Sequence, residues 1–170
     1  VETDPNLSGT GDAVVFAMRE DAGVTAPCPR RQVFSGTPDT VRLRHARLSP
    51  DGKSVVAFSD VKGGSSIWRF SADGSGAGEQ LNEAVAAEPV DLSVSPDGKK
   101  IAHTDLAGRL WLLDIPTQKD RIIDTATTDG TSSFDSLSWS ADGKILAFVR
   151  TRGSNLRRQI AFFDTSSSRL

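Results

Sequence analysis

The sequence has no tyrosine, one cysteine and two histidines among its 170 residues. The lone Cys28, set between Pro27 and Pro29, excludes an intramolecular disulfide and a cysteine-rich metal site. His45 and His103 leave little material for a histidine metal site, and no matching acidic cluster accompanies them. No His-x-x-x-His, Cys-x-x-Cys or Gly-x-Ser-x-Gly spacing occurs. Apolar runs are short. Ile145-Leu146-Ala147-Phe148-Val149 falls far below the roughly 20 residues that carry a helix across a bilayer. An excess of one charge is missing too. Twenty Lys and Arg face 22 Asp and Glu, for a formal net charge of −2. That balance gives no general attraction to nucleic acid or to an anionic membrane. Gly63-Gly64 and Gly74-Ser75-Gly76-Ala77-Gly78 lack the Gly-Lys-Ser/Thr ending and following helix of a phosphate loop, so they read as connections. The chain opens on Val1-Glu2-Thr3-Asp4-Pro5 without a methionine, as a processed or excised chain does.

What the chain does contain is a repeat. Ser49-Pro50-Asp51-Gly52-Lys53 returns as Ser95-Pro96-Asp97-Gly98-Lys99 and, once altered, as Ser140-Ala141-Asp142-Gly143-Lys144. The serines are 46 and 45 residues apart. A degenerate copy, Leu7-Ser8-Gly9-Thr10-Gly11-Asp12, lies upstream. Pro-Asp-Gly forms a turn for separate reasons at each position: proline presets φ, aspartate caps through its side chain, and glycine accepts positive φ. An apolar residue precedes each serine, and an apolar run follows each turn, such as Val55-Val56-Ala57-Phe58 and Ile145-Leu146-Ala147-Phe148. A third run comes later, as Ile67-Trp68-Arg69-Phe70, Leu110-Trp111-Leu112-Leu113 and Ile160-Ala161-Phe162-Phe163. A weaker fourth follows in two units, Glu79-Gln80-Leu81 and Arg121-Ile122-Ile123. The runs are too short for helices and rich in strand-forming residues. Four short strands every 45 residues or so is the period of a β-propeller blade.

This pattern resembles the TolB-like, WD-like propeller repeats. From Ser95 to Asp164 it is also similar to the propeller domains of tricorn-type proteases, through Arg109-Leu110-Trp111-Leu112-Leu113-Asp114 and Leu137-Ser138-Trp139-Ser140. The expected fold is all-β: a β-propeller of four-stranded antiparallel blades. About four are present, over 1–40, 41–86, 87–131 and 132–170, the last lacking its final strand. The resemblance implies a larger propeller of six or seven blades. Departures are visible. The first unit lacks Pro-Asp-Gly and carries Thr25-Ala26-Pro27-Cys28-Pro29 where a third strand is expected. His103 is aligned with Phe58 and Phe148, and Ala161 with Trp68 and Trp111. Trp68 and Trp111 are both expected to be largely buried.

No catalytic residue, cofactor site or metal site is expected. The recurring Asp51, Asp97 and Asp142 read as turn caps rather than an acid–base pair. His103 reads as a hydrogen-bonded structural histidine inside a strand. Arg150, Arg152, Arg157 and Arg158 fall within nine residues, read as the connection between the second and third strands of the last unit. The approach to His45 adds Arg42 and Arg44, on the propeller face opposite the Pro-Asp-Gly turns. Loops on a rigid scaffold commonly bind, and the arginine fork suits carboxylates. These seven residues are therefore the candidate contacts for a protein or peptide partner. The expected function is a non-catalytic binding or scaffolding module. The alternative, implied by the tricorn resemblance, is an accessory propeller that gates or delivers peptides to a serine peptidase domain outside this chain. The family also implies a periplasmic or secreted location, and the remaining blades or domains of a larger protein as further partners.

Overall fold

A computed structural model describes residues 42–126, 133–152 and 157–170, together with the strands β1 (Val14–Ala17) and β2 (Arg31–Ser35). Every regular element among them is a strand. The second blade holds β3 (Leu43–Leu48), β4 (Ser54–Ser59), β5 (Ser66–Ser71) and β6 (Glu79–Gln80). The third holds β7 (Pro89–Val94), β8 (Lys100–Asp105), β9 (Arg109–Asp114) and β10 (Lys119–Thr125). The fourth holds β11 (Ser133–Trp139), β12 (Ile145–Arg152) and β13 (Arg157–Asp164). Each is a simple antiparallel meander in chain order, and β1 pairs with β2 as a two-stranded sheet. The first strands β3 and β11 both pack beside β7, the arrangement expected of innermost strands around an axis. The rest of the first unit, including its Pro-Cys-Pro segment, lies outside the described residues.

The repeated turn closes the same way three times. Ser49, Ser95 and Ser140 each send a hydroxyl to the aspartate two residues on, at 2.6 Å. That aspartate accepts the main-chain N–H of Lys53, Lys99 or Lys144 at 3.0 to 3.1 Å. The serine oxygen also takes the N–H that opens the second strand, at 2.9 Å. Gly52, Gly98 and Gly143 sit at φ 68°, 68° and 69°, where a side chain is strained. The turns also stack from blade to blade. A Cβ on Gly98 would meet Pro50 at 3.8 Å, and one on Gly143 would meet Pro96 at the same distance. All three turns therefore share one end of the propeller.

The core lies between blades. Val56, Phe58, Ile67 and Leu81 of the second blade cluster with Leu92, Ile101 and Leu113 of the third. Ala102, Leu110 and Leu112 of the third cluster with Leu146, Phe148 and Phe163 of the fourth. Both faces of the third blade are thus covered, which accounts for its nearly continuous apolar strands.

The register corrects one alignment. His103 corresponds to Ala57, not Phe58, because Ala57, His103 and Phe148 lie opposite Trp68, Trp111 and Ala161 respectively. Each pair balances its volume across the strands: small against large, medium against large, large against small. Close packing between blades leaves room for one bulky member where the other is reduced. The two tryptophans also part company. Trp68 is buried, whereas Trp111 is only half-buried, with the Arg109 guanidinium over its ring.

Candidate functional site

The loops opposite the Pro-Asp-Gly turns gather the start of each first strand and the connection between second and third strands. Arg42 sits at this end. Its main-chain N–H donates to Asp60 at 2.6 Å, and its side chain is exposed. His45 follows at φ 55°, in a bulge of the β3–β4 pairing. Ser136 repeats the feature at φ 58°, in a bulge of β11. Bulges of this kind re-aim side chains at sheet rims. The His45 ring is half-buried and meets the edge of Phe58 at 6.2 Å.

The arginines divide into two sets. Arg44 forms an ion pair with Glu88 at the entry to the third blade. Arg150 is mostly buried and bridges to Asp124 of the third blade at 3.0 Å, over the face of Phe134. Arg158 reaches Asp135 within its own blade at 2.8 Å. Arg47, outside the seven candidate contacts, ties β3 to Asp91 of β7 at 3.0 Å. Arg42 and Arg157 make no ion pair among the described residues, and Arg157 is exposed. The cluster is less of a loop than its sequence implies. Arg150 and Arg152 end β12, Arg157 and Arg158 begin β13, and Arg152 lies opposite Arg157 in the hairpin.

His103 is the one histidine beside a carboxylate among the described residues, and it is closed to solvent at 0% exposure. Its Nε2 lies 2.9 Å and 3.1 Å from the two oxygens of Asp120. Asn82, from the second blade, donates to the same carboxylate at 2.8 Å and accepts the N–H of Ile67 at 2.7 Å. The imidazole stacks on Trp111, with ring centres 5.8 Å apart and planes 4° apart. Trp111 Nε1 donates to Asp105 at 2.9 Å, and Arg109 Nε to the same oxygen at 2.7 Å. The structural reading of His103 is thus met. Its partners Asp120 and Asn82 escaped the sequence reading. Asn82 lies in the irregular tail of a two-residue strand, where no periodicity points to it.

The meander order, the radial blades and the Ser-Pro-Asp-Gly-Lys turn decide the fold. This chain is a β-propeller, similar in fold to TolB proteins. It resembles the propellers of tricorn-type proteases as well. A tricorn-like protease C-terminal subunit from Sulfurisphaera tokodaii is 30% identical over 150 residues, covering 88% of this chain and 16% of the relative. The chain therefore spans about a sixth of the curated relative it matches. Among solved structures, the tricorn protease superposes with a TM-score of 0.64 at 16% identity, over 82% of this chain and 13% of its own. A TolB protein from Agrobacterium tumefaciens gives 0.58 at 23% identity, over 83% and 48%. No family model matches the propeller.

Proposed function

We propose that this propeller is a non-catalytic module that binds protein or peptide segments at the end opposite the Pro-Asp-Gly turns. One observation carries the reading: Arg42 and Arg157 stay outside any described ion pair at that end, while Arg44, Arg150 and Arg158 are used to hold the scaffold. Exposed arginine on a rigid frame suits a carboxylate, because both oxygens can be held by one fork. His45, held at the rim by its bulge, supplies a further donor or acceptor. His103, fully buried against Asp120, belongs to the scaffold and not to this surface. Calorimetric titration with an acidic peptide bearing a free C-terminus tests this, against the same peptide amidated. Combined Arg42→Ala, Arg152→Ala and Arg157→Ala changes should weaken binding and leave the fold intact. Equal affinity for wild type and variant would reduce this end to a solvated surface.

A second reading has its own support. The 30% identity to a tricorn-like protease subunit favours an accessory propeller that gates or delivers peptides to a serine peptidase domain outside this chain. Peptide hydrolysis by the native protein, lost when the propeller rim is altered but retained by its catalytic domain, would favour it over free-standing binding. The TolB resemblance extends the binding reading to a periplasmic or secreted setting, which fractionation of host cells tests.

A further inference from the structure

The glycine-rich stretches Gly63-Gly64 and Gly74-Ser75-Gly76-Ala77-Gly78 frame one cleft on the outer rim of the second blade. Gly63 closes the turn after β4, its N–H donating to the Asp60 carbonyl at 2.8 Å, and this turn presents Val61 and Lys62 to solvent. Gly64 lets the chain around Glu83 and Ala84 come close, since a Cβ on Gly64 would stand 2.7 Å from that of Ala84. Gly78 does the same at the far end, where a Cβ would stand 2.6 Å from the Phe70 ring. β6 starts directly after Gly78 and runs for two residues, against seven in β10. The short outer strand leaves the rim open. The cleft has a volume of about 780 Å³, inside the roughly 300–1,000 Å³ of ligand pockets. Lys62, Trp68, Gln80, Leu81 and Glu83 line it, with Gln118 from the turn before β10.

The chemistry of this cleft is that of a cation site. The Lys62 ammonium lies over the Trp68 indole, 5.2 Å from the ring centre. The face of an indole is electron-rich and attracts positive charge. Trp68 is held in place for this role. Its Nε1 donates to Ser66 Oγ at 2.9 Å, and its ring stacks on Phe70. Gln80 Nε2 donates to the same hydroxyl at 3.3 Å and to the Asn82 carbonyl at 2.9 Å, which ties β6 to the tryptophan. The two carboxylates of the cleft differ. Glu79 is taken by Arg69, whose Nε donates to it at 3.2 Å. Glu83 is exposed and makes no ion pair among the described residues, and neither does Lys62. A free carboxylate thus shares the cleft with an indole face that already holds an ammonium.

We propose that this cleft binds a lysine or arginine side chain of a partner protein, and that Lys62 is its resident substitute. The incoming cation displaces Lys62 from Trp68 and pairs with Glu83, so that the indole face and the carboxylate share its charge. Lys62 is free to leave because it is exposed and no ion pair holds it. The aliphatic stem of the guest lies along the indole, as the stems of long cationic side chains do on apolar surface. This site selects the charge opposite to that proposed for the arginine end, and the two readings stand or fall separately.

Titration of the protein with tetralysine, followed by NMR through the assigned indole N–H of Trp68, tests the site. Tetralysine should move that resonance and leave the indole N–H of Trp139, which donates to Ser93, in place. Lys62→Ala removes the competitor and should tighten binding about threefold. Glu83→Gln should weaken it about threefold, as loss of an exposed ion pair does. Both positions are exposed, so neither change threatens the fold. An unmoved Trp68 resonance in the Lys62→Ala protein would overturn the proposal. So would weaker or unchanged binding by Lys62→Ala, or unchanged binding by Glu83→Gln. Movement of Trp68 by tetraglutamate that disappears in Lys62→Ala would assign the cleft to anions and overturn it too.

Discussion

Asn82 of the second blade and His103 of the third converge on one carboxylate, that of Asp120. The amide reaches it at 2.8 Å and the imidazole at 2.9 Å. The rest of the junction between these blades is largely apolar, so this relay fixes which residue of one blade faces which residue of the next. Buried polar groups that satisfy one another specify an arrangement that apolar contacts leave degenerate.

Removing Asp120 should therefore cost more than its own exposure implies. Asp120→Ala leaves His103 Nε2 and the Asn82 amide without their acceptor in a closed site. A loss of about 1–3 kcal/mol is expected in urea unfolding. Asn82→Ala should fall in the same range, because it strips Ile67 N–H of its acceptor as well. The double variant should be less destabilised than the two losses added, since both act on one network. Strict additivity would separate the residues energetically.

The two tryptophans should differ. Trp68 is buried against Phe70 with stacked rings 6.2 Å apart, and truncation to alanine should cost about 3–5 kcal/mol. Trp111→Ala should cost less, because part of its indole already meets solvent and Arg109. Equal shifts in thermal unfolding would mean that Trp111 is buried as deeply as Trp68.

The arginines of the fourth blade should separate by stability. Arg150→Ala strands the buried Asp124 and should cost about 3 kcal/mol, in the range for breaking a buried ion pair. Arg157→Ala should stay within about 0.5 kcal/mol of wild type, as exposed positions do. Denaturant midpoints check both. A silent Arg150 variant would remove it from the scaffold and return it to the candidate binding surface.

The turn aspartates predict a shape for acid titration. The serine hydroxyls of Ser49, Ser95 and Ser140 are the main cause holding Asp51, Asp97 and Asp142 below the ordinary carboxylate value. Asp164 is drawn down to about 2, chiefly by the Ser166 hydroxyl. A value lower in the folded state gives stability that is present above the unfolded value and lost as pH falls through the folded one. For Asp164 that window runs from about 4 down to about 2. Carboxyl resonances followed by NMR should show Ser140→Ala returning Asp142 toward its ordinary value while Asp97 stays put. An unmoved Asp142 would show that the backbone N–H of Lys144, not the hydroxyl, does the holding.

The sequence by itself determined the local chemistry. Ser-Pro-Asp-Gly-Lys carries its own turn, because proline, aspartate and glycine each restrict the backbone through covalent geometry and short-range hydrogen bonds. Strand type and blade period followed, since alternation and turn spacing are properties of the chain alone. Tertiary structure decided the rest. Counting from the turn serines already matches His103 to Ala57, each eight residues on, but which neighbouring blade each strand face packs against appears only when the sheets are stacked. Arg150 and Arg157 look alike in sequence. Only the approach of Asp124 from the neighbouring blade makes the first a fastener and leaves the second at the surface. That distinction is set by contacts between residues far apart in the chain, and no local pattern encodes them.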